Sequence, residues 1–199
     1  MRYAAKWPEY RDQWNEMVIK PNRVHEFEEE ARQLISHKGI YQEVEAATTA
    51  MAGRIGVKWY HVAVIHMREA SADFHCYLGN GQSLARRTTE VPAGRGPFTG
   101  PHAFLKGCID ALHVDGLDSV ADWRLEKILF YCELFNGAGY NARGLPSPYL
   151  WGGTSVQRPG KYVADRKFNA RVWDNQPGCA PLLATMAKFD PTIAFQRED

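Results

Sequence analysis

One run of residues limits the fold more than any other: Trp59-Tyr60-His61-Val62-Ala63-Val64-Ile65-His66-Met67-Arg68-Glu69. It has almost no polar face, so as a helix it is stable only when protein surrounds it. It is too short for a bilayer, which takes about 20 apolar residues. Other elements must therefore wrap around residues 59–70, which read as the central helix of a domain. The run ends on a carboxylate, Glu69, and the character changes directly after it. Ala70-Ser71-Ala72-Asp73-Phe74 leads into strand-forming residues and the turn signal Asn80-Gly81. Burial disfavours the charged form of a carboxyl group, and so does the negative end of a helix dipole. A carboxyl group placed there is suited to carry a proton near neutral pH, which makes Glu69 the first candidate for acid catalysis.

Hydrophobic periodicity places the remaining elements. Residues 10–19 read as a helix ended by Lys20-Pro21. Residues 24–36 read as a second, with Phe27, Ala31, Leu34 and Ile35 on one side and Glu28-Glu29-Glu30 facing water. Gly39 is expected to break it, and residues 41–51 form a third helix closed by Gly53. Residues 74–78 and 88–91 are rich in strand formers and predict a long, irregular antiparallel hairpin. A glycine- and proline-rich loop follows, then Pro101 in the first turn of a helix carrying Phe104, Leu105, Cys108, Ile109 and Leu112. Ser119 is a candidate N-cap for the next helix, with Leu125, Ile128, Leu129, Cys132 and Phe135 as its stripe. That helix stops at Asn136-Gly137-Ala138-Gly139, residues 140–161 read as a long loop, and residues 179–189 as a last helix. The order predicts an α+β protein, mainly helical, with a small antiparallel sheet beside a cleft. The 199 residues fit one compact whole, with N-terminal helices in residues 1–38 packed on a main domain of residues 39–199.

Composition removes several function classes. A formal net charge of +1 gives no global attraction to nucleic acid. Cys76, Cys108, Cys132 and Cys179 include no CxxC pair and no cluster with zinc-ligand spacing. Neither a metal nor a cofactor is expected, and the thiols read as reduced and mostly buried. The first residues lack the apolar core of a signal peptide, and no stretch reaches 18 consecutive apolar residues, so neither secretion by a leader nor a membrane span is expected.

Four segments together resemble a known group. They are His66-Met67-Arg68-Glu69-Ala70-Ser71, Asn80-Gly81-Gln82-Ser83-Leu84, Arg87-Thr88-Thr89-Glu90-Val91-Pro92-Ala93-Gly94, and Asn136-Gly137-Ala138-Gly139-Tyr140 with Ser147-Pro148-Tyr149-Leu150-Trp151. In order and spacing they are similar to lysozyme-like phage endolysins, over residues 39–190. The end of the Glu69 helix also resembles goose-type lysozymes and soluble lytic transglycosylases. Those usually show Glu-Ser where this chain has Glu69-Ala70-Ser71. The resemblance implies a lysozyme-like fold and bacteriolytic cleavage of the β-1,4 bond between N-acetylmuramic acid and N-acetylglucosamine in peptidoglycan. It further implies a monomeric enzyme that waits in the host cytoplasm until it is released to the cell wall.

Glycosidic cleavage needs a proton for the leaving oxygen and stabilisation of an oxocarbenium-like transition state. Glu69 is the expected general acid. Candidates for the second role are Glu90 or Asp73 as a base, or a water held by Thr88 or Thr89, of which strand alternation lets only one face a cleft. His66 lies three residues before Glu69 and is either a core histidine or a substrate contact. Arg87 could meet glycan or peptide carboxylates, Asn136 could meet N-acetyl groups, and Tyr140 and Tyr149 could stack on sugar rings. The alternatives are a lytic transglycosylase, a chitinase or chitosanase, and an inactive glycan-binding phage structural protein.

Overall fold

The computed structural model describes residues 6–137, 139–164 and 167–196. The helices are α1 (Trp7–Glu16), α2 (Val24–Ser36), α3 (Lys38–Ala52), α4 (Trp59–Ala70), α5 (Ala103–Val114), α6 (Leu125–Phe135), α7 (Pro148–Trp151) and α8 (Cys179–Phe189). Two strands, β1 (Lys161–Ala164) and β2 (Lys167–Asn169), form one antiparallel sheet. The class is α+β and mainly helical, as the sequence predicts. The chain divides into two compact units, one of residues up to Ala31 together with those from Arg124 onward, the other Arg32–Trp123. These boundaries lie inside α2 and just before α6, whereas the sequence suggests a division at residues 38 and 39.

In the Arg32–Trp123 unit α4 is the core, with every residue from Trp59 to Arg68 buried. α3 packs on α4 and α5. Glu45 of α3 fastens the start of α4: its carboxylate accepts the Trp59 N–H at 2.9 Å and pairs with Lys58 at 2.9 Å. Thr48 adds a second tie, its hydroxyl accepting the Val57 N–H at 3.0 Å. At the other end α4 stops in two successive left-handed residues, Ser71 and Ala72, at φ 51° and 58°. Each such non-glycine residue costs about 1 kcal/mol. Both return hydrogen bonds to the last turn, Ser71 N–H to Met67 C=O and Ala72 N–H to His66 C=O.

In the other unit α1 packs on α6, α6 on α7, and α7 on α8. Tyr10 of α1 donates a short hydrogen bond to the buried Glu133 carboxylate of α6. β1 and β2 pair Lys161 with Asn169 and Tyr162 with Phe168. None of the four cysteines forms a disulfide, and Cys108, Cys132 and Cys179 are buried. No described helix is long and apolar enough to cross a membrane.

The small sheet is not where the strand propensities place it. Residues 74–91 form a looped segment with a single bridge, Cys76 to Ser83, while β1 begins where the sequence suggests the end of a loop. Side chains of Asn80, Gln82 and Thr88 take up backbone groups that a strand ladder would have used. Gly39 does not end a helix but lies inside α3, since the chain already turns at His37. Ser119 closes a short 3-10 turn, Leu117–Ser119, and α6 starts later, at Leu125.

Glu30 of α2 carries a pH dependence of stability. Burial first, then the charge of Glu26, pushes its carboxyl up to about 7, against the opposing effect of Arg23. Its Oε2 is buried without a hydrogen-bond partner. The folded state therefore holds this proton more tightly than the unfolded state, and stability falls as pH rises from the unfolded value of 4.5 to about 7. Glu30→Gln is expected to raise stability at pH 8 by about 1 kcal/mol after discounting for solvent screening, and to change little at pH 4.5. Thermal melts at the two pH values check this, and an equal effect at both would contradict it.

Candidate functional site

Glu69 lies in the last turn of α4 and is half-buried, while the ten residues before it are buried. The following loop folds back onto its backbone. Gly81 sits against the Glu69 carbonyl so closely that an added Cβ would collide with that oxygen, and its φ of 69° is left-handed. The Asn80-Gly81 turn is thus seated on the residue that the sequence picks out as the acid.

The neighbours of Gly81 hold the next segment. Asn80 Nδ2 donates to the Glu90 carbonyl at 3.1 Å, and its Oδ1 accepts the Gln82 N–H at 3.1 Å. The Gln82 amide holds Thr89 and Glu90: its Oε1 accepts both N–H groups, at 2.8 and 3.2 Å, and its Nε2 donates to Thr89 Oγ1 at 3.0 Å. The structure therefore links Glu69, the Asn80–Gln82 turn, Thr89 and Glu90 through a short series of contacts. Gln82 escapes a reading by residue type because its role depends on contacts seven residues away.

The two threonines separate clearly. Thr88 is buried, with its hydroxyl donating to the Pro92 carbonyl at 2.6 Å and accepting the Arg95 N–H at 2.9 Å. Both capacities serve the loop, so Thr88 is a structural residue. Thr89 is exposed and only its acceptor side meets Gln82. Glu90 is exposed. Asp73 is exposed but committed, since Oδ1 accepts the His75 N–H at 2.9 Å and Oδ2 faces the Cys76 thiol at 3.5 Å. The His75 N–H holds its carboxyl below the usual carboxylate range. Arg87 is exposed and donates to the Gly94 carbonyl at 3.3 Å.

His66 is a core residue, not a substrate contact. It is fully buried, with Nε2 3.0 Å from the Asp73 carbonyl and Nδ1 2.9 Å from the Tyr41 hydroxyl. A carbonyl only accepts, so Nε2 carries the proton and Nδ1 accepts from Tyr41. Burial pushes the His66 pKa down to about 4. Its ring packs among Phe74, Phe104 and Tyr41. His66 thereby ties the start of the loop to α4, one turn before Glu69. Tyr41→Phe would leave Nδ1 buried without a donor, and a loss of about 1–3 kcal/mol is expected in urea unfolding. A loss below about 0.5 kcal/mol, the range of neutral surface changes, would show that the bond contributes little.

The far end of the loop is fixed to α5. Arg95 forms a two-pronged ion pair with Asp110, which also accepts the Tyr77 hydroxyl at 2.8 Å. The Arg95 bond holds the Asp110 carboxyl below its ordinary range. Tyr77 stacks on Phe98, with centroids 5.5 Å apart and rings 6° from parallel.

Asn136, Tyr140 and Tyr149 belong to the other unit. Asn136 is exposed just past the end of α6, and Ala138, two residues on, lies outside the described residues. Tyr140 and Tyr149 are buried. The Tyr140 hydroxyl accepts the Tyr162 N–H at 3.2 Å, and its ring packs edge-on against Tyr162 and Phe168. Neither ring is presented for sugar stacking, because the aromatic-rich stretch fills a core. Among the described residues no group of three or more His, Cys, Asp and Glu side chains could hold a metal ion.

Comparison of the chain with protein-family models, curated proteins and solved structures gave no match.

Proposed function

We propose that this chain is a peptidoglycan-degrading glycosidase, with Glu69 as the general acid that protonates the leaving glycosidic oxygen. One observation carries the reading: a half-buried carboxylate in the last turn of a buried helix, with the Asn80-Gly81 turn seated on its backbone. The backbone beside Glu69 is over-determined by Gly81, by the two left-handed residues and by His66, which suits a group that must be held in place. The proposed substrate is the glycan strand of peptidoglycan, cleaved between N-acetylmuramic acid and N-acetylglucosamine, in the manner of a phage endolysin acting as a monomer.

Asp73 drops out as the second group, which leaves Glu90 as a base or a water held by Thr89, and we take the Thr89 water as the mechanism. Asp73 is engaged in its own turn, whereas Thr89 offers an exposed hydroxyl. Once Glu69 has given its proton to the leaving oxygen, water oriented by Thr89 would attack the oxocarbenium-like centre, forming the new C–O bond and passing a proton to the Glu69 carboxylate, which restores the acid. If the 6-hydroxyl of the sugar attacks instead and gives its proton to the Glu69 carboxylate, the same residue yields a lytic transglycosylase. The test is digestion of purified sacculi followed by mass spectrometry of the products. Reducing muramic acid ends support hydrolysis, and anhydromuramoyl ends support transglycosylation. Cleavage of chitin oligomers in preference to sacculi would move the substrate to chitin. Binding to sacculi without any cleavage would overturn the enzymatic reading.

A further inference from the structure

The Gln82 carboxamide makes three hydrogen bonds to one two-residue segment, accepting the Thr89 and Glu90 N–H groups and donating to Thr89 Oγ1. Two N–H donors fix which end of the amide is oxygen, so Nε2 faces the Thr89 hydroxyl as a donor. The hydroxyl accepts there, and its own proton must point elsewhere. Gln82 is itself held, its N–H donating to Asn80 Oδ1 at 3.1 Å and its C=O accepting the Tyr77 N–H at 2.6 Å. The residue before it, Gly81, abuts the Glu69 carbonyl. One rigid turn therefore registers both the Glu69 backbone and the Thr89 hydroxyl.

Resting on the glycosidase reading above, we propose that Gln82 is a positioning residue that sets the polarity of the Thr89 hydroxyl, keeping its proton available to orient the attacking water. Gln82→Glu isolates this role. The carboxylate still accepts the two backbone N–H groups, but its second oxygen now takes the Thr89 proton in place of giving one. Protonation of the new carboxyl at low pH restores the donor.

On soluble peptidoglycan fragments at pH 7, Gln82→Glu is expected to lower kcat about 10–100-fold, the order that small misplacements produce, with KM within about twofold. The loss should shrink below about pH 4.3, the ordinary glutamate pKa. Thr89→Val should show a comparable loss without that pH recovery, and the double variant should be no slower than Thr89→Val. Parental kcat in Gln82→Glu, or an equal further loss when it is added to Thr89→Val, overturns the proposal. If Gln82→Glu does not fold, Thr89→Ser against Thr89→Val decides: serine should lose far less than valine, and equal losses overturn the role. Glu69→Gln separates the two levels of inference. Full activity in that variant, or none in the parent, removes the glycosidase reading and this role with it. An inactive Glu69→Gln beside a fully active Gln82→Glu removes the positioning role alone.

Discussion

Glu69→Gln is expected to fold as the parent does and to lose sacculus-clearing activity by about 10²–10⁴-fold, the range that a positioned proton donor contributes. The amide has nearly the shape of the carboxylic acid but has no proton to give to a leaving oxygen. Glu69 is half-buried at the end of α4, and the packing that defines the helix comes from the residues before it. The backbone contacts that hold it involve its carbonyl and the residues on either side, none of which the substitution alters. A stability change of about 1 kcal/mol, the usual size for a point substitution, would leave the fold intact. Turbidity loss of sacculi measures the first quantity and thermal melting by circular dichroism the second. Near-parental clearing by a well-folded Glu69→Gln would leave the proposed chemistry without its acid. Loss of activity together with a collapsed melting transition would instead assign Glu69 to the fold.

The parts of the fold legible in the sequence are those decided within a few turns of chain. The residue ranges of α2, α4 and α8 follow from hydrophobic spacing alone, because each buries a stripe or a whole surface that no loop would carry. The place of Glu69 in the last turn of a buried helix is legible for the same reason, since a helix end and a change of composition are both local. What could not be read depends on contacts distant in sequence. The bond from Tyr10 to Glu133 spans 123 residues, and nothing around either residue announces that the N-terminal helix belongs with the C-terminal part. The strand-like composition of residues 74–91 is real, but Asn80, Gln82 and Thr88 satisfy the backbone in another way, and no propensity scale records that. Alternation requires one of Thr88 and Thr89 to face inward without saying which. Only the pairing of the Thr88 hydroxyl with Pro92 and Arg95 decides it. For Tyr140 and Tyr149, a ring that fills a core and a ring that lines a cleft leave the same signature in composition.

Gly81→Ala should be the most damaging small substitution in the loop, because two independent demands meet at that position. The left-handed backbone, at φ 69°, costs an alanine about 1–2 kcal/mol. The added methyl group would also strike the Glu69 carbonyl oxygen, which belongs to a buried helix and has little room to retreat, and forced overpacking of this kind adds about 1–3 kcal/mol. A total loss of about 2–5 kcal/mol is expected, and at about 2–4 °C per kcal/mol for a chain of this size the melting temperature should fall by roughly 4–20 °C. Gly94 in the same loop provides the control. Its φ of 79° is equally left-handed, but a Cβ there would meet nothing within 4 Å. Gly94→Ala should show the backbone cost alone and keep its activity. Gly81→Ala should also lose activity in the fraction that remains folded, because relief of the collision moves either the Glu69 backbone or the turn that carries Gln82. Equal melting temperatures and equal rates for the two variants would mean that the contact between Gly81 and Glu69 does not set the site. A Gly81→Ala protein that is destabilised but fully active per folded molecule would separate the seat of the turn from the chemistry, and would leave Glu69 held by α4 and His66 alone.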